Sequence, residues 1–402
     1  MAETAGQLVR AFRMRAGLTQ TGLGLQMVPP RGQSTISDIE NNRIPLDSVA
    51  LINSMARVLN VHPADLTGQP YRVGLTPSED RGHAAIAEIR RQIERYDLDP
   101  EWDGPVRPVP ELEEAVAQCT ALRQGARYVK LAERISPLMA ELQAASALYT
   151  GEERDEAFRL RAVAYREADA VAYGLGYLDL SILATQCVRW AAKASGNALQ
   201  VGVGEYLRVR QFWESASWPD ALSALDRAVG ALESSGQAGT PAGISVIGSI
   251  HLRAAITAAR TDDADEAWAR YDEAKQCLDR LGGDPPDYCK LVFTRGNIDI
   301  HGPAIAIELG DGVQAVSRGR GLRLDPTLPK SRAGHYHLDM ARGWFWSGDR
   351  ERSLSALEKA DKVAPALIRH HPMAQALVRS LRDAEQRSTS QRIRTLASKL
   401  HV

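Results

Sequence analysis

The chain has 402 residues, more than one ordinary hydrophobic core accommodates, so two or three domains are expected. Hydrophobic residues make up 44% and charged residues 25%, which excludes a disordered polyelectrolyte. A net charge of -1 excludes a globally basic nucleic-acid binder, and abundant Ala with only 6% aromatics favours packed helices over sheets.

At the start of the chain, Leu8, Val9, Phe12 and Met14 predict a helix over residues 6–15, closed by Gly17. Thr19 caps a second helix with Leu23 inward. Val28-Pro29-Pro30-Arg31-Gly32 cannot be helical, because two prolines remove donors and a glycine follows. Gln33 or Ser34 opens a third helix that directs Ile36 and Ile39 inward and ends at Asn41-Asn42. Asp47 or Ser48 caps a fourth, with Ile52, Met55, Ala56 and Leu59 on one face. Pro63 starts a short fifth helix ending at Gly68. These five short helices form a first unit, residues 1–75. Its seven arginines exceed its five acidic residues, a balance that permits DNA binding.

With Ile36 and Ile39 in the core, Gln33, Ser34, Ser37, Asp38 and Asn41 face outward. Amides and hydroxyls on such a face match base-edge donors and acceptors in a major groove. Asp38 either accepts from a cytosine amine or limits non-specific affinity. Gln20, at the start of the second helix, is placed to meet a phosphate together with the helix-terminal N–H groups. Gly22 and Gly24 each weaken that helix by roughly 0.5–1 kcal/mol against Ala.

The stretches Gly17-Leu18-Thr19-Gln20 and Gln33-Ser34-Thr35-Ile36-Ser37-Asp38-Ile39-Glu40-Asn41 resemble the helix-turn-helix of phage-repressor-like regulators, the xenobiotic-response-element (XRE) family. The resemblance covers residues 6–71. It implies a five-helix lambda-repressor-like DNA-binding domain, with Gln20 on the DNA backbone and Gln33 reading a base. It also implies further contacts from Thr35 and Arg43, and a buried structural ion pair between Arg13 and Glu40. The linker between the second and third helices is about two residues longer than the phage pattern.

Ile86, Ile89, Ile93 and Tyr96 mark a helix over residues 83–96, which needs an apolar partner on the second domain or across a dimer. Pro100, Pro105, Pro108 and Pro110 follow, and residues 76–110 read as a bridging helix and semi-rigid linker.

From residue 111 to 402 the pattern is helices and turns, and the useful signal is repetition. Ala341, Trp344, Gly348, Ser353, Leu357, Ala360 and Pro365 resemble a tetratricopeptide repeat. Ala221, Leu225 and Ala228 repeat part of it, as do Ala267, Tyr271 and Ala274, with a weaker copy at Ala315. The matched positions 221, 267, 315 and 353 are irregularly spaced, so these are lengthened helix pairs in an α-solenoid. Tyr128–Leu131, Ala191–Gly196 and Ala306–Asp311 are similar to the sensor half of repressor-like regulators of high-GC Gram-positive bacteria. In a related architecture the concave face of the repeats binds a short peptide.

The fold class is therefore all-α. Asn297 and His301 share a helical face within an unusually polar run, and either bind a peptide or small polar effector or satisfy buried backbone groups. Arg253, Tyr206 and Trp213 are further pocket candidates. An effector would reorient the two DNA heads of a homodimer relative to one helical turn of about 34 Å.

No GxxxxGK[ST], HExxH or GxSxG motif is present, and Gly174-Leu175-Gly176 lacks a preceding strand. Neither an enzyme nor a cofactor is expected. His335 and His337 face different ways on one helix, so no metal site is expected there, and His370-His371 reads as surface. Cys119, Cys187, Cys277 and Cys289 lack paired spacing and read as reduced thiols. Residues 1–6 do not resemble a signal peptide and no apolar run approaches the ~18 residues of a spanning helix, so a cytoplasmic location without membrane partners is expected. The competing reading is a helical-repeat interaction scaffold whose head dimerises without reading DNA.

Overall fold

The structure, a computed structural model, describes residues 4–59, 61, 66, 77–369, 371–383 and 390–400. Among them are twenty α-helices and no strand. The first four are α1 (Ala5–Arg15), α2 (Gln20–Gln26), α3 (Gln33–Glu40) and α4 (Val49–Leu59). Thr4 and Gln7 form a reciprocal capping box on α1, and the Thr19 hydroxyl accepts from the Gly22 N–H to start α2. Val9, Leu23, Met27, Ile36, Ile39, Ile52 and Met55 fill the core of this unit. The predicted fifth helix, Pro63 to Gly68, lies outside the described residues apart from Leu66, which is helical and fully buried.

Helix α5 (Pro77–Glu94) lies along the helix Tyr128–Leu148 and sends Ile86, Ile89 and Ile93 into the main core. The proline-rich stretch after it is fastened to the body. The Gln143 amide donates to the carbonyls of Arg95 and Leu98, Tyr149 Oη donates to the Arg107 carbonyl, and the Arg107 guanidinium grips Glu141.

The rest winds as successive helix pairs: α6 (Val109–Gln124), α7 (Tyr128–Leu148), α8 (Gly151–Gly174), α9 (Leu178–Ala194), α10 (Ala198–Glu214) and α11 (Trp218–Ser234). Then come α12 (Pro241–Arg260), α13 (Ala264–Leu281), α14 (Arg295–Glu308), α15 (Gly312–Gly319), α16 (Lys330–Trp346) and α17 (Arg350–Val363). The chain closes with α18 (Pro365–Arg369), α19 (Pro372–Asp383) and α20 (Ser390–Leu400).

Left-handed residues at 176, 196, 216 and 236 end four consecutive helices at a regular interval. Three are Gly, and the fourth is Ala216 at φ 51°. The repeat positions Ala221, Ala267, Ala315 and Ser353 are completely buried, so small side chains do stand where helices cross. Helix α12 has the length and mean hydropathy to cross a membrane, but 78% of its apolar window is buried against neighbouring helices.

Candidate nucleic-acid interface and effector cavity

Ile36 and Ile39 are 0% and 1% exposed, which fixes the rotation of α3. Gln33, Ser34, Asn41 and Arg43 lie exposed on its outer side, and Thr35, Ser37 and Asp38 are half-buried beside them.

A line of hydrogen bonds connects the outer face to the core. Gln33 Nε2 donates to Gln20 Oε1 at 2.6 Å, and Gln20 Nε2 donates to Glu40 Oε2 at 2.9 Å. Arg13 grips both oxygens of Glu40 at 2.5 and 2.9 Å and donates to the Leu18 carbonyl at 2.7 Å. Burial works against the Glu40 charge, but hydrogen bonds from Arg13 and Gln20 outweigh it and hold the carboxyl below its ordinary range. Arg13 therefore ties α1 to the end of α3 and, through Gln20, orients Gln33. Asn41 Nδ2 turns back onto the Ser37 carbonyl at 2.7 Å, and Asp38 lies 3.4 Å from the Arg43 guanidinium.

Other parts of the head rest on the body. Asn53 Nδ2 of α4 donates to the Trp213 carbonyl, and Arg57 reaches the Ala216 carbonyl at 3.5 Å. Asp47 lies 3.6 Å from Arg342, with both side chains under 5% exposed. Arg31 approaches Asp262 at 3.7 Å.

Behind that contact, α10, α12, α14 and α16 enclose a cavity of about 330 Å³. The structure brings Tyr206, Trp213, Arg253 and His301 together in its wall. Asn297 is not part of the wall. It is buried, its Oδ1 has no described partner, and its carbonyl hydrogen-bonds to His301 Nδ1 at 2.6 Å. His371, read from sequence as a surface residue, is half-buried in the cavity wall with its ring 5.5 Å from that of His335. The reason is that α18 packs on α16 and brings His371 beside His335. His370 lies outside the described residues.

Sequence reasoning missed Arg332, Asp339 and Arg342, which with His335 form a polar stripe along α16 facing the cavity. Their helical spacing of three, four and three was the available signal. Burial, then the nearby Arg332 guanidinium, lowers His301 to about 3 and His335 to about 4, so both imidazoles are neutral at physiological pH. Among the described residues no cluster of three or more His, Cys, Asp or Glu is placed to hold a metal ion.

Residues 5–67 match the helix-turn-helix domain family. No curated protein matches the chain by sequence. The crystal structure of Bacillus thuringiensis PlcR in complex with the peptide PapR7 and DNA is similar at 15% identity, over 70% of this chain and 96% of that chain, with a TM-score of 0.30.

Proposed function

We propose that the chain is a sequence-specific DNA-binding transcriptional regulator. In this reading residues 1–75 are the reading head, residues 76–110 the bridge, and residues 111–402 a sensor and dimerisation body of tetratricopeptide-like helix pairs. It acts in the cytoplasm, as a homodimer, on a duplex operator, and performs no catalysis.

The observation that carries the reading is the exposed outer face of α3, backed by the Gln33, Gln20, Glu40 and Arg13 line. A reading helix works when its side chains are held before DNA arrives, because less rotamer entropy is then lost on binding. Gln33, Ser34, Thr35, Ser37, Asp38 and Asn41 form the base-proximal set. Gln20 and Arg43 serve the phosphates.

The sensing part of the reading is supported by shared residues. Arg342 and Trp213 line the cavity, and the same two residues meet Asp47 and Asn53 of the head. A ligand that binds the cavity differently in two head orientations shifts the balance between them.

Selection of bound DNA from random fragments, followed by mobility shift at physiological salt, tests the reading. The expected result is a two-fold symmetric site bound far more tightly than bulk DNA. Binding without sequence preference, with a steep salt dependence, would favour the interaction scaffold instead.

A further inference from the structure

Five guanidiniums and three carboxylates line the cavity. Three of the guanidiniums have acidic partners: Arg210 with Asp169 at 2.6 Å, Arg260 with Glu308 at 3.1 Å, and Arg342 with Asp339 at 3.4 Å. The other two, Arg253 and Arg332, form no ion pair with any described carboxylate. Arg253 lies over the rings of Tyr206 and Trp213, at 4.0 and 4.8 Å from their centroids.

Even the paired arginines have capacity left. Arg260 Nη1 and Arg342 Nη2 are buried without a hydrogen-bond partner, although the two side chains are only 8% and 3% exposed. Buried donors of this kind are normally satisfied, so two residues of the cavity wall keep hydrogen-bonding capacity unused.

Tyr206 reports the same field. Burial opposes its ionisation, yet Arg253 and Arg332 outweigh that and bring the phenol down to about 7. Between these polar groups, Leu252, Ile256, Ile300 and Leu338 supply apolar patches of the wall.

We infer that the cavity binds a carboxylate carried on an apolar body, held by Arg253 and Arg332. This deepens the sensor reading and rests on it only for its biological meaning, since the binding can be measured without DNA. The planar forks of arginine match a carboxylate in two hydrogen bonds. The volume lies at the low end for small-molecule sites, which suits an organic acid or the terminal residues of a peptide.

Calorimetric titration of the full chain tests the inference with five probes: phenylacetate, its neutral amide, the tripeptide Ala-Leu-Phe with a free carboxyl terminus, the same tripeptide amidated, and inorganic phosphate. At least one carboxylate should bind at least tenfold more tightly than its amide. Preference between the first and third probes distinguishes a free acid from a peptide terminus.

Arg332→Gln and Arg253→Gln should each weaken that binding at least tenfold, and the exposed Arg227→Gln should leave it unchanged. Arg253 packs on two aromatic rings, so Arg332→Gln decides the matter if Arg253→Gln does not fold by circular dichroism. The inference is overturned if neither carboxylate binds, if an amide matches its acid, if phosphate binds more tightly than both acids, or if Arg332→Gln binds as the wild type does. None of these outcomes touches the DNA reading, which the mobility shift tests separately.

Discussion

The side-chain amide of Gln33 donates to Oε1 of Gln20 at 2.6 Å, joining the first residue of α3 to the first residue of α2. Gln20 in turn is held by the buried carboxylate of Glu40. The two glutamines thus present as one oriented unit at the exposed end of the helix pair.

Removing the reading side chains should therefore alter specificity and leave the fold alone. Gln33→Ala and Ser34→Ala are exposed changes, so the melting temperature should stay within error of the wild type. Each should lose about 1–3 kcal/mol of discrimination at the base it meets, seen by footprinting on the selected site. Footprints unchanged in both variants would remove α3 as the reading helix.

Glu40 behaves in the opposite way. Its side chain is 2% exposed and that of its partner Arg13 12%. Glu40→Ala leaves the guanidinium without its bidentate partner and Gln20 without its acceptor, so a loss of about 3 kcal/mol is expected in urea unfolding. The wild-type contribution follows from the depressed carboxyl pKa: it is present above the unfolded value and lost as pH falls through the folded one. Glu40→Ala should accordingly differ most from the wild type at neutral pH and least in acid. A constant difference across that range would mean the pair is not the source.

Asp47 gives a pH dependence of the other sign. Burial raises its pKa to about 6 despite the pull of Arg342. The folded chain then holds a proton that the unfolded chain has already lost, so this group's contribution to stability falls as pH rises from about 4 to about 6. Asp47→Asn removes the charge at little change in shape, and Arg342 keeps Asp339 and Glu308. The variant should be more stable than the wild type at pH 8, by about 3 kcal/mol at most, with the gap closing by pH 4. A variant less stable at pH 8 would show that the Asp47–Arg342 attraction exceeds the desolvation cost.

What the sequence made legible follows from how local each signal is. The isoleucines at 36 and 39 set the rotation of α3 by helical period alone, and their burial needs no partner from the body. Repeat positions such as Ala221 and Ser353 were visible because a crossing point tolerates only a small side chain. The cavity was only half legible. Arg253 and Tyr206 were among the sequence candidates, but Arg332 and Arg342 acquire their meaning only when α16 and α12 face the same cavity. The partial burial of His371 depends on α18 packing against α16, which no local pattern encodes. Asn297 shares a helix face with His301, yet one turn of helix separates the cavity wall from the core.

Gly24 shows how tertiary contact reverses a local rule. Helix propensity alone says that Gly24→Ala stabilises α2 by up to about 1 kcal/mol. In the folded head, the Pro29-Pro30 turn returns over this position, and the Arg31 N–H donates to the Gly24 carbonyl at 2.9 Å. A Cβ at residue 24 would lie 2.1 Å from the Arg31 carbonyl oxygen, which is backbone and cannot rotate away. The turn would have to lift, and with it Gly32, which starts α3. Gly24→Ala is therefore expected to destabilise the chain by about 1–3 kcal/mol and to weaken operator binding. The neighbouring Gly22 is a different case. Its added Cβ would lie 3.1 Å from the capping Thr19 hydroxyl, a side-chain atom that has to give by only a few tenths of an ångström. Thermal unfolding of the two single variants side by side separates the accounts: equal melting temperatures would mean that propensity, and not the returning turn, governs α2.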